Sequence, residues 1–360
     1  MFLGLDLGTS GVKALLIGDD QEVIADATAP LAVSRPHSGW SEQDPADWLD
    51  ATTAALTALG ATRDLSAVRG VGLSGQMHGA TMLDAADQPL RPCILWNDTR
   101  AHAEASNLDA DPKFRALTGN IVFPGFTAPK LLWCQRHEPD IFNRIAKVLL
   151  PKDYLRLWLT GAYVSEMSDA AGTGWLDTKK RDWDDELLAA TGLTRDHMPA
   201  LIEGSDVSGD LRPEIATRFG LKPGIPVAGG AGDNAASAIG VGVVRACEAF
   251  VSLGTSGVLF AANDGYAPDP DTALHTFCHA LPGRWHQMGV ILAATDALAW
   301  YARLVGGTAS QLTDGLGPLR APGRPIFLPY LGGERTPHND AHIRGAFLGL
   351  EHATDRDAAT

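Results

Sequence analysis

The chain has 360 residues, 45% apolar and 20% charged, with 43 acidic against 29 basic side chains and a net charge of -14. That length is enough for two domains, and so acidic a composition excludes a nucleic-acid backbone as partner, which needs clustered Lys and Arg. It leaves room for a phosphorylated small molecule, since a few local backbone amides can hold one.

The chain enters a β pattern at Phe2, so no leader is expected. FLGLDLG and VKALLIG read as two strands joined by a tight Gly-Thr-Ser-Gly turn. PADWLDATTAALTAL comes next as an amphipathic helix beginning near Asp44 and Pro45, both of them start signals. AVRGVGLSG is a buried strand running into QMHGATMLD, a second strand-like stretch. Helical patterns are expected around Thr99–Asn107, Pro129–His137 and Lys152–Leu159. The strand IPVAGG then opens onto AGDNAASAIGVG, small residues at helical spacing. Immediately afterwards EAFVSLGTSGVLFAA repeats the opening hairpin, so that LGTSGV stands both at residues 7–12 and at residues 253–258. The second half begins as the first did. This predicts a duplicated α/β fold with a boundary near Val244–Cys247, strands alternating with helices in both halves.

Two facing domains, each with such a turn, could hold one polyphosphate between them through amides and hydroxyls of Gly8, Thr9 and Ser10 and of Gly254, Thr255 and Ser256. Asp6 ends the first strand beside the turn, where a carboxylate reaches Mg²⁺ directly or through water. The second copy has Ser252 at that offset, so only the first hairpin is expected to carry the metal. Lys13 is either a phosphate contact or a solvated strand residue. Asp233 stands where a buried strand feeds a helix, after Gly229, Gly230 and Gly232. It is a helix cap or, near a phosphate donor, the carboxylate that accepts a proton from an attacking hydroxyl.

GLDLGTSGVKALL, GWSEQDPADWL, GLSGQMHGATMLD, LWNDTRA, LPKDYLRLWLTG, SDAAGTGWLD, GDNAASAIG, SLGTSG and FLPYLGGERTPHND run in order along essentially the whole chain. Together they resemble the FGGY carbohydrate kinases. The resemblance implies an actin-like (ribonuclease H-like) pair of α/β domains, residues 1–245 and 246–360, that close on a sugar and MgATP. It implies Asp233 as catalytic base, Met77, His78, Asp233 and Asn234 as sugar contacts, and the two LGTSGV turns as phosphate hairpins. Within the family, Met77-His78 in place of an Arg-Glu pair points away from glycerol and towards D-xylulose, phosphorylated to D-xylulose 5-phosphate. Another ketose or polyol, or a non-catalytic sugar-binding fragment, stays open. Family members continue beyond the equivalent of Thr360, so the second domain is expected to be incomplete, without its adenosine-binding part.

Other features are expected to be structural. His275, Cys278, His279 and His286 fit no zinc spacing, and Cys93, Cys134, Cys247 and Cys278 form no CxxC pair. Trp96 could approach the sugar, since aromatic faces suit sugar C–H groups, but core packing is expected, and Asp98 with Arg100 is expected in a salt bridge near the pocket. No apolar run reaches a membrane span, and the scattered cysteines suit a reducing compartment, so a cytoplasmic protein without a membrane partner is expected. A homodimer remains open.

Overall fold

The computed structural model describes all residues except 315, 319, 320 and 322. The first hairpin is built by alternation: Leu3, Leu5 and Leu7 of β1 (Phe2–Leu7) are buried, as are Val12, Ala14 and Leu16 of β2 (Gly11–Ile17), while Asp6 and Lys13 lie exposed on the other face. β3 (Val23–Pro30) continues the antiparallel run beside β2. In α1 (Pro45–Thr62), Asp44 accepts a hydrogen bond from the Ala46 amide at 2.9 Å and Pro45 fills the first turn. Trp48, Ala51, Thr52, Ala55, Leu56 and Leu59 then fall on one buried stripe.

β4 (Val71–Gly75) lies parallel to β1. QMHG, expected to prolong it, instead turns, and the next strand covers only Thr81–Leu83. The reason is local: His78 has φ 67°, a left-handed conformation that ends extended backbone. The first of the expected helices covers His102–Asp109. The others are α2 (Thr127–His137) and α3 (Pro151–Thr160), followed by a short α4 (Met167–Ala170). β5 (Val207–Asp210), β6 (Pro226–Ala228) and β7 (Ala231–Gly232) complete a sheet in the order β5-β6-β4-β1-β2-β3, with β7 also paired to β4. α5 (Asp233–Gly240) leaves the end of β7 directly.

The second half forms a four-stranded antiparallel sheet, β8 (Ala249–Leu253), β9 (Gly257–Asn263), β10 (His275–Cys278) and β11 (Trp285–Ile291), in the order β8-β9-β11-β10, followed by α6 (Thr295–Leu304). The hydrophobic core does not divide where the sheets do. One cluster joins the first sheet to α1 through Leu5, Leu16, Trp48 and Leu73. The other runs from Met77, Trp133 and Trp175 into Phe260, Phe277 and Met288 of the second sheet. Asn120 ties this seam, donating to the Thr276 carbonyl at 2.9 Å and accepting from the Thr276 amide at 2.9 Å.

Candidate active site

Three parallel strands end side by side. Register pairs Leu7 with Gly75, and Gly75 with Gly232, so β1, β4 and β7 stop in line. Each strand runs directly into candidate site residues: the Gly8-Thr9-Ser10 turn after β1, Gln76-Met77-His78 after β4, and Asp233-Asn234 after β7. Ligands of α/β sheets are met at such carboxyl ends. The main chain, rather than any one contact, brings the three motifs together.

Met77 is buried against β7, and a Cβ on Gly232 would stand 2.8 Å from its Cγ. The His78 ring lies against Gly172, with Nδ1 2.6 Å from the Gly172 carbonyl oxygen. Burial, reinforced by the nearby Lys130 ammonium, holds this imidazole down to about 3, so it is neutral. A carbonyl can only accept, so Nδ1 carries the proton and Nε2 is left as an acceptor. Phe126 stacks on the ring at a centroid distance of 4.9 Å. Lys130 Nζ donates to the carbonyls of His78 at 2.8 Å and Gly125 at 2.7 Å, fixing the left-handed turn from below, and burial lowers Lys130 itself to about 7.

Asp233 occupies the first turn of α5 and not its cap position, which Gly232 holds. Its Oδ1 accepts from the Asn234 amide at 2.7 Å and from Asn234 Nδ2 at 3.0 Å. One N–H of the Asn234 side chain thus orients the aspartate, and its second N–H and its carbonyl oxygen remain open. Asp233 is exposed to solvent, yet desolvation by the protein around it, with the Asp6 carboxylate adding, raises its carboxyl to about 6. The amide of Gly232, just before it, donates to Ser168 Oγ at 3.1 Å, and Ser168 Oγ bonds Glu166 Oε2 at 2.9 Å. Behind them Lys152 lies fully buried among Asp153, Glu166 and Asp169 at 3.1 to 3.5 Å. Burial drives the Asp169 carboxyl well above the usual range despite that ammonium. Lys152 and Asp153 stand in LPKDYLRLWLTG and Ser168 and Asp169 in SDAAGTGWLD, but that they meet is shown only by the fold.

The two identical hexapeptides do not fold identically. In the first, Leu7 pairs with Val12 and the Gly8 amide donates to the Gly11 carbonyl at 3.0 Å. In the second, Leu253 pairs with Gly257 and the Gly254 amide donates to the Ser256 carbonyl at 2.9 Å, a register one residue tighter. Their surroundings differ. The first turn is tied to the sugar-side residues: Thr9 Oγ1 donates to Gln76 Oε1 at 2.9 Å, and the Thr9 carbonyl accepts from Gln43 Nε2 at 2.7 Å. The Thr9 hydroxyl is therefore spoken for, and Ser10 keeps the exposed hydroxyl. The second turn is tied to α6: Thr295 Oγ1 donates to the Gly254 carbonyl at 2.7 Å and the Ala294 amide to the Thr255 carbonyl at 2.8 Å.

A cleft of about 480 Å³ is lined by Asp6, just ahead of the first turn, and by Lys13, Gly72, Ser74, Ala236 and Ala280 among others. Lys13 faces it but pairs with Asp26 at 3.4 Å, both half-exposed, which favours the solvated reading of that residue. Trp96 corrects the expectation of core packing: it is 48% exposed and its Nε1 donates to Thr9 Oγ1 at 3.0 Å, bracing the hairpin. Asp98 and Arg100 do form the expected buried pair, at 2.7 Å, with the Arg100 guanidinium 3.6 Å over the Trp40 ring.

Residues 1–240 match the N-terminal domain, and residues 249–360 the C-terminal domain, of the FGGY family of carbohydrate kinases. The chain belongs to this family. FGGY membership makes it a sugar kinase of the two-domain actin-like fold, with ATP as phosphoryl donor. It is 55% identical to a xylulose kinase of Escherichia coli (strain K12), over 98% of this chain and 73% of that protein. The solved structure of a xyloylose kinase from Brucella ovis superposes with a TM-score of 0.96 at 64% identity, over 99% of this chain and 75% of the other. A xylulose kinase from Rhodospirillum rubrum superposes at 0.92 with 31% identity, covering 99% and 74% of the two chains. Among the described residues, no helix is long and apolar enough to cross a membrane.

Proposed function

We propose that this FGGY kinase phosphorylates D-xylulose at its terminal hydroxyl, giving D-xylulose 5-phosphate. The observation that carries the reading is the line of strand ends that puts Asp233, raised to about 6, beside Met77-His78 and beside the glycine turn that follows Asp6. A carboxylate that titrates near neutrality accepts a proton more readily than one at the usual value and is still ionised at pH 7. Asp233 takes the proton of the attacking hydroxyl, and Asn234 keeps the carboxylate aimed. His78 Nε2 accepts from a sugar hydroxyl, and Met77 fills the apolar side of the sugar. The amides around Gly8-Thr9-Ser10 and Gly254-Thr255-Ser256 receive the phosphates. Asp6, whose carboxylate forms no hydrogen bond or ion pair among the described residues, suits Mg²⁺, which takes few protein oxygens and keeps its waters. Bound there with ATP, the ion would neutralise charge on the phosphates.

The test is ADP release with MgATP and D-xylulose, repeated with other ketoses, with polyols and with Asp233→Ala. Turnover that needs D-xylulose and vanishes in the variant supports the reading. Faster turnover with another ketose or a polyol would reassign the substrate. Sugar binding with no turnover would leave a binding protein.

A further inference from the structure

The first half supplies acceptors to the sugar site: the Asp233 carboxylate and His78 Nε2. A ketose also carries a carbonyl, and a carbonyl oxygen can only accept, so the opposite wall must offer a donor. The second half has one. Arg335 lies over the Phe123 ring, its Cζ 4.9 Å from the centroid. Phe123 in turn contacts Phe126 at 5.8 Å and His275 at 5.2 Å, and Phe126 is the ring stacked on His78. The guanidinium stands close enough for its charge to depress both His78 and His275. It is half-buried and, among the described residues, makes no ion pair and no side-chain hydrogen bond. Its neighbour Glu334 does not neutralise it at hydrogen-bond range: Glu334 Oε1 accepts from the Leu292 amide at 3.0 Å and the Arg335 amide at 2.8 Å.

The backbone around Arg335 is fixed. Thr336 accepts on Oγ1 from the Val290 amide at 3.1 Å, donates its own amide to the Val290 carbonyl at 3.1 Å, and donates its hydroxyl to the Ala273 carbonyl at 3.1 Å. A half-buried cation with its fork unused, on a pinned segment and two rings away from the sugar-side histidine, has its donors free for a ligand.

We propose that Arg335 is a specificity-determining residue of the sugar site, its guanidinium donating to the carbonyl end of the ketose while Asp233 faces the hydroxyl that is phosphorylated, a role that rests on the ketose reading above. The polarity of the sugar is set by donor and acceptor chemistry. Hydroxyls can donate to His78 Nε2 and Asp233, whereas the carbonyl needs a donor, and the Arg335 guanidinium only donates. Reducing the carbonyl to a hydroxyl moves the oxygen out of the trigonal plane and adds a proton that a guanidinium cannot accept. The planar fork therefore favours a ketose over the pentitols with the same carbon chain.

The experiment is titration calorimetry of the full chain, without nucleotide, with D-xylulose and with xylitol and D-arabinitol, the two pentitols that reduction of its carbonyl gives. The wild type is expected to prefer D-xylulose. Arg335→Met is expected to weaken D-xylulose roughly 10- to 100-fold and the pentitols far less, so that the preference collapses. Arg335→Lys keeps a cation over Phe123 and the fold, and should lose part of the preference because the fork is gone. Unchanged D-xylulose affinity in either variant, or an equal loss for ketose and pentitols, would overturn the proposal by reducing Arg335 to a packing role. A wild type that binds the pentitols and not D-xylulose would instead overturn the ketose reading, and this role with it.

Discussion

Asp233 holds two opposed demands in one side chain. Its folded-state value of about 6 lies above the ordinary carboxylate value of 3.8, so the folded protein favours the protonated form while catalysis needs the ionised one. The acid limb of kcat/KM for the sugar should therefore fall about tenfold per pH unit below pH 6, read from initial rates across pH 5 to 8. The same shift has a stability consequence of definite sign. Below about pH 4 the carboxyl is protonated in folded and unfolded chains alike and contributes nothing. As pH rises from 3.8 to 6 the unfolded chain ionises first, stability is lost, and the loss is complete above 6. Asp233→Asn should thus raise Tm at pH 7.5, the gain shrinking as pH falls towards 4, while kcat drops about 10²- to 10⁴-fold. A variant with unchanged Tm at pH 7.5 would mean that burial does not strain this carboxylate. Asp233, Met77 and His78 can be picked from sequence because glycines flank each of them. The tautomer of His78 cannot, since it depends on the Gly172 carbonyl, 94 residues away.

At the scale of elements, the hairpins show how far an identical sequence can be trusted. Both copies of LGTSGV turn between antiparallel strands, because glycine and small hydroxyl residues favour a turn in either setting. The register is set by what each turn leans on: Gln76, Gln43 and Trp96 at the first, the start of α6 at the second. QMHG reads as strand from its alternation, and the Lys130 ammonium holding the His78 carbonyl belongs with the turn that stands there instead. Asn120 offers a direct measure of the seam between the halves. Asn120→Ala would leave the buried amide and carbonyl of Thr276 without partners, and urea unfolding should show a loss of about 1–3 kcal/mol per unsatisfied group. A loss near zero would mean that water or a shifted backbone replaces both bonds.

For the whole molecule, the larger hydrophobic cluster is the deciding feature, because it joins helices of the first half to the second sheet through Phe260, Phe277 and Met288. Two lobes sharing one core should melt together. Thermal unfolding followed by far-ultraviolet circular dichroism and by tryptophan fluorescence is expected to give coincident midpoints. Separated midpoints would show that the seam is weaker than its packing implies. The amino-acid sequence by itself determined the α/β class, the duplicated hairpin, the buried stripe of α1 and the residues that end three strands, since these depend on period, turn chemistry and small residues acting over a few positions. It also carried the family, through motifs spread along essentially the whole chain. Only the tertiary structure decided that those strand ends align, that Lys152 meets three carboxylates behind Asp233, that Trp96 braces a turn, and that Arg335 comes to Phe123, which packs on the ring stacked on His78. Each of these joins residues far apart in the chain, and electrostatics and burial act through space, where sequence separation carries no information.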